Sequence, residues 1–203
     1  ASTPAITLTQ GTLDGTTTVG AVTVGAGTGG IVANGNGASN TALNLGSLNF
    51  LGAGTVSLRL PGGATTNSPG LAVSGLLTTG GTVTVNATPG TAWNNGSIYQ
   101  LISYGTLSGS AANFSLGSAA LSGRQSGTFA ATGGFVTLAV NGDSPVWTGA
   151  NGSQWTQFAQ NSAVSGTPNF ALKTGLTPTD FWVGDSVEFN DMYNLGAGNV
   201  AVT

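Results

Sequence analysis

The sequence predicts an all-β chain wound as a β-solenoid, and three observations carry that reading. Apolar and polar residues alternate with period two through most of the chain. Glycine-rich turns separate the alternating segments. One strand-turn-strand pattern recurs, with Gly54-Thr55-Val56 echoed 27 residues later by Gly81-Thr82-Val83. Alternation is the signature of a strand with one buried face, and self-similarity at such a spacing is that of stacked coils.

Taken in order, the expected strands are ITLTQGTL (6–13), TTTVGAVTV (16–24), TALNLGSLNF (41–50), GTVSLRL (54–60) and GLLTTGGTVTVNA (75–87). They continue with SIYQLISYGTL (97–107), NFSLGSAAL (113–121), GTFAATGGFVTLAV (127–140), DSVEFND (185–191) and NVAV (199–202). In GTVTVNA, Val83, Val85 and Ala87 alternate with Thr82, Thr84 and Asn86, so the valines face inward and the hydroxyl and amide groups outward. Valine and threonine also suit a pleated surface. GAGTGG, NGNGASN, LPGGATTNSPG, ATPGTAWNNG and NGDSP read as the turns between. No segment sustains apolar spacing at i, i+3, i+4 and i+7 over three turns, so no long helix is expected.

The echo separates two all-β architectures. GSLNFLGAGTVSLRL and SGLLTTGGTVTVNA share their order of features, and GAVTVGAGTGGIV is a fainter copy. Such units cover one another's apolar faces when stacked. The alternative is a β-sandwich, which calls for regular two-residue hairpins between strands of equal length.

Composition removes whole classes of function. Charged residues are 4% of the 203, against roughly a quarter in ordinary soluble domains, and the net charge is -3. Arg59, Arg124 and Lys173 are the only basic residues, too few to neutralise a run of phosphates, so nucleic acid is not an expected partner. No apolar run approaches the roughly 20 residues a membrane helix needs, and membrane insertion is not expected. With no Cys and no His, disulfides, thiol nucleophiles, histidine triads and ordinary zinc sites are excluded. The opening ASTPAITL has neither a charged start nor an apolar core, so it reads as a mature or excised segment.

The ordered series LNLGSLNFLGAGTVSLRL, GLLTTGGTVTVNATPGTAWNNGSIYQLISYGTLSGSAANFSLGSAALSGRQ, SPVWTGANGSQW and DFWVGDSVEFND resembles the autotransporter-associated β-strand repeat proteins, over most of residues 41–191. The resemblance implies a right-handed parallel β-helix on a bacterial cell exterior, related to autotransporter passenger domains. It brings no catalytic residues to transfer.

Two groups of residues remain as candidate sites. VWTGANGSQW places Trp147 and Trp155 on either side of a turn, and Trp182 follows in DFWVGD. Large aromatics can close a tight β-arc, which makes these residues structural. The functional reading is a stacking platform for a glycan from Trp147, Trp155 and Trp182, with Tyr99 and Tyr104. Asp185, Glu188 and Asp191 are the candidate metal ligands, since Ca²⁺ takes six to eight oxygens, yet no calcium loop surrounds them. No facing carboxylate pair for glycoside hydrolysis is legible. Neither a cofactor nor an enzymatic activity is expected.

Residues 1–142 are read as solenoid coils and 143–203 as a continuing β-rich repeat segment opened by the Trp-flanked turn. The ends, PAITLTQGTL and NVAVT, carry strand patterns with no helix or lysine to blunt them. Each end then needs a strand-forming partner: further repeats of the same chain, or another copy stacked end to end. The expected function is a structural extracellular segment of a bacterial surface stalk, sheath or filament. An adhesin that binds glycans through exposed aromatics is the alternative.

Overall fold

The computed structural model describes residues 4–27, 29–35, 41–60, 68–119, 121–122, 124–152, 155, 168–173 and 175–193. Successive strands alternate between two sheets. One sheet takes β1 (Ile6–Leu8), β3 (Thr18–Val24), β5 (Leu43–Phe50), β7 (Leu71–Thr79) and β9 (Ser97–Ser108), followed by β12 (Phe135–Asn141) and β11 (Ser126–Thr132). The other takes β2 (Gly11–Asp14), β4 (Gly30–Ala33), β6 (Gly54–Arg59), β8 (Val83–Thr88) and β10 (Phe114–Leu116). The ladders from β1 to β9 and from β2 to β10 are parallel. Parallel neighbours that are never consecutive in sequence make a β-solenoid and exclude the sandwich.

Period-two alternation determines what each coil buries. In β8, Val83, Val85 and Ala87 are at most 1% exposed, while Thr84 and Asn86 are only half-buried. Stacking converts this into columns. Ile6, Val22, Leu48, Leu77 and Leu107 succeed one another in register on one sheet. Leu13, Val32, Val56, Val85 and Leu116 do so on the other. Each fully buried Val or Leu contributes about 1.5–3 kcal/mol of apolar transfer, so the columns are the main source of stability. Asn34, 0% exposed, bridges coils: it donates to Arg59 O at 2.8 Å and to Thr41 O at 3.2 Å, and accepts from Arg59 N at 2.7 Å. Paired in this way, a buried amide costs little.

The coils are unequal. Along the Ile6 column the step is 16, then 26, 29 and 30 residues. The sequence echo aligns Val56 with Val83, but the ladder sets Val56 opposite Val85. The two-residue difference preserves the inward face, which is why the echo still marks the correct buried positions.

A column of glycines bends the larger sheet. Gly46 and Gly75 fall where the ladders shift register, between Leu45 and Leu48 and between Val73 and Leu76. A Cβ on Gly75 would lie 2.5 Å from Gly46 O, and one on Gly105 2.5 Å from Ser74 O. Ser74 Oγ donates to Leu45 O at 3.2 Å, satisfying a carbonyl at the bend. Gly75→Ala is therefore expected to lower the melting temperature by about 2–8 °C, as a 1–2 kcal/mol loss would. An unchanged melt would show that the coils can separate there without cost. At the far side of the same sheet, Gly133 and Gly134, with φ of 60° and 82°, make the two-residue turn of the β11–β12 hairpin.

The chain divides into two compact units: 1–93, 97–121 and 127–139 form the first, and 94–96, 122–126 and 140–203 the second. The segment after 142, expected to continue the repeat, is β-structured but antiparallel. Here β13 (Pro145–Trp147), β14 (Phe170–Leu172) and β15 (Pro178–Thr179) form a three-stranded sheet. DSVEFND is not a regular strand, although Glu188 bridges Val146 in parallel, with Trp147 N to Glu188 O at 2.9 Å. The expected NVAV strand lies outside the described residues.

Candidate functional site

In the second unit, β13 and β14 set Val146 against Ala171 and Trp147 against Phe170. The turn after Trp147 is pinned by Asn169, whose carbonyl accepts from Thr148 N at 2.8 Å and whose Oδ1 accepts from Asn151 N at 2.5 Å. Gly149 and Gly152, with φ of 60° and 84°, supply the backbone conformations that the turn needs. Trp155 lies over Trp147, stacked at 6.0 Å between centroids and 14° between planes. Phe170 meets both rings edge-on, at 5.0 and 5.1 Å. Phe181 and Phe189 complete the nest. The rings hold one another.

This arrangement distributes the expected platform residues differently. Trp147 is 4% exposed and Trp182 9%, whereas Trp155 keeps 39% and Phe189 52%. Tyr99, in the first unit, is 1% exposed and packs edge-on against Trp93 at 4.6 Å. Only Trp155 of the three tryptophans offers a ring surface to solvent.

Arg124 organises the rest of the unit. Its guanidinium lies 4.3 Å over the Trp182 ring, donates to Asp180 O at 2.9 Å and pairs with Asp185 Oδ2 at 2.5 Å. Asp185 also accepts from Asp143 N at 3.0 Å and Trp182 N at 2.9 Å, and its side chain is fully buried. Its negative charge is therefore saturated. Glu188 is taken by Lys173 Nζ at 2.6 Å, an exposed pair. The hydrogen bond to Glu188 raises the Lys173 pKa, and the same contact lowers that of Glu188. The Asp191 side chain lies outside the described residues. Among the described residues no three metal-ligating side chains converge. Sequence reasoning missed Arg124 as an organiser because 61 residues separate it from Asp185.

Asp180 differs from its neighbours. It is 1% exposed, and neither carboxyl oxygen has a hydrogen-bond partner among the described residues. Burial pushes its pKa up, against a smaller lowering by Arg124. Because the folded-state pKa lies above the unfolded value near 4, the contribution of this group to stability is complete below that pH. It is lost as pH rises through the folded pKa. Asp180→Asn is therefore expected to raise the melting temperature at pH 7 and to leave it unchanged near pH 3. Melts displaced equally at both pH values would contradict the titration.

The two sheets present a different kind of site. β1 ends one sheet and β2 the other, so consecutive strands leave two backbone edges unpaired among the described residues. No protein-family model matches the chain, and neither a curated protein nor a solved structure does.

Proposed function

We propose that the chain is a non-enzymatic, structural β-solenoid segment of a bacterial surface stalk, sheath or filament. It is extended by further repeats of the same polypeptide or by other copies stacked end to end. The observation that carries this reading is the pair of open parallel edges, β1 and β2, side by side in chain order. Unpaired N–H and C=O groups on such edges are templates for another strand at about 4.8 Å. A head-to-tail contact of that kind repeats into an open fibre. Three basic residues in the whole chain leave proteases few Lys or Arg sites, which suits an exterior location. The resemblance to autotransporter-associated β-strand repeats supports the same reading.

Electron microscopy of native material, with the intact mass of its subunit, tests the proposal. Filaments or a much longer polypeptide would support it. A monodisperse 19.7 kDa monomer with both edges covered would sink it.

A second reading, a glycan-binding adhesin, draws on the exposed face of Trp155 above its aromatic support. Glycan-array binding that disappears in Trp155→Ala while the fold persists would favour it over the structural role.

A further inference from the structure

The first unit contains two charged residues, Asp14 and Arg59, and the fold brings both to one groove of about 370 Å³ on the outer face of the five-stranded sheet. Asp14, Ala33 and Ser57 are in register across β2, β4 and β6, and Arg59 lies two residues beyond Ser57. Strand spacing and rise then separate Asp14 from Arg59 by roughly 12 Å at the backbone. The two do not pair with each other. No ion pair joins either to another described residue. Asp14 accepts from Gly35 N through Oδ1, at 2.6 Å, and among the described residues its Oδ2 remains for a partner.

We infer that this face pairs with the same face of a second copy about a two-fold axis over β4, so that Asp14 of each copy meets Arg59 of the other. A two-fold contact is self-complementary, and one acid and one base on a single face satisfy it twice. The midpoint between the charges falls at the C-terminal end of β4, over the buried Asn34 and between the small residues Ala33 and Gly35, which lets two sheet faces approach to about 10 Å. The half-buried Ile31 supplies an apolar centre, and Thr12, Ser57 and Asn86 a neutral polar surround. A small carboxylate ligand fits less well. The groove is a strip of an open sheet face without aromatic walls, and small-molecule sites enclose most of their ligand. The pairing is lateral, independent of the end-to-end contact through β1 and β2, and closes at two copies.

Sedimentation equilibrium of the 203-residue chain, up to about 1 mM protein, tests the inference. The expected result is a reversible dimer that weakens as NaCl rises from about 50 to 500 mM. Asp14→Arg and Arg59→Asp should each weaken it by roughly tenfold or more, because every contact becomes like-charged. Mixing the two variants restores opposite charges at both contacts and should return the affinity to within about threefold of the original. Should Asp14→Arg lose its fold with the Gly35 contact, Arg59→Asp suffices alone. Affinity should then fall from wild-type pairs to mixed pairs to variant pairs. A wild-type monomer at the highest concentration, indifference to charge reversal, or a mixture that does not recover would each overturn the inference. So would a monomer whose Arg59 resonances shift with added acetate, which would assign the groove to a small carboxylate. Filaments that survive both charge reversals would leave the end-to-end reading standing while this one fails.

Discussion

Val83→Asp is expected to cost at least about 3 kcal/mol of unfolding free energy, whereas Thr84→Asp, the next residue of the same strand, should stay within about 1 kcal/mol. Val83 is 0% exposed and lies in register between Gly54 and Phe114, neither of which has a side chain that could pair a carboxylate. Thr84 is half-buried on the outer face, between Thr55 and Ser115, where water reaches a charge. Coils stacked on both sides of β8 prevent the chain from moving away from the buried acid, so the expected outcome includes loss of cooperative folding. Thermal melts displaced equally by the two substitutions would refute the assignment of inner and outer faces.

Arg124→Leu is expected to destabilise the second unit by about 3–5 kcal/mol, because it leaves the fully buried Asp185 carboxylate without its cation. The same change should cost much less in an Asp185→Asn background, where no charge is stranded. Arg124→Lys should fall between. It keeps the charge but cannot reach Asp180 O and Asp185 together while stacking on Trp182. Trp147, Trp155 and Trp182 lie in this unit, so its unfolding can be followed by fluorescence. Equal losses from Arg124→Leu in both backgrounds would show that packing on Trp182, and not charge compensation, is what Arg124 supplies.

The solenoid was largely legible, and the reasons are local. The strands 18–24, 43–50 and 54–59 fall within the expected segments, and 83–88 runs one residue past its segment, because alternation alone indicates a half-buried strand. β4 was legible only as the tail of the fainter copy GAVTVGAGTGGIV and not among the expected strands. GIVA is four residues among glycines, too short for alternation to stand out, and becomes a strand because β2 and β6 offer ladders on both sides. The aromatic turn was anticipated as structural punctuation, and Trp147 is buried within it. That Trp182 would lie beneath a guanidinium could not be anticipated from DFWVGD, since Arg124 is supplied from another part of the chain.

Period-two alternation and the internal echo are enough to make this protein all β, to set the inward face of β8, and to predict that coils stack. These properties follow from the two-residue period of a strand and hold whatever its neighbours are. Which residues share a column is set by packing, because coil steps grow from 16 to 30 residues and the intervening loops carry no register signal. Packing likewise sets the antiparallel order of β13, β14 and β15, the neutralisation of Asp185 by Arg124, and the shared face of Asp14 and Arg59. Such contacts arise where distant backbones are brought within a few ångströms by burial of the apolar columns. In a chain with nine charged residues, their placement depends on that packing and leaves no periodic trace.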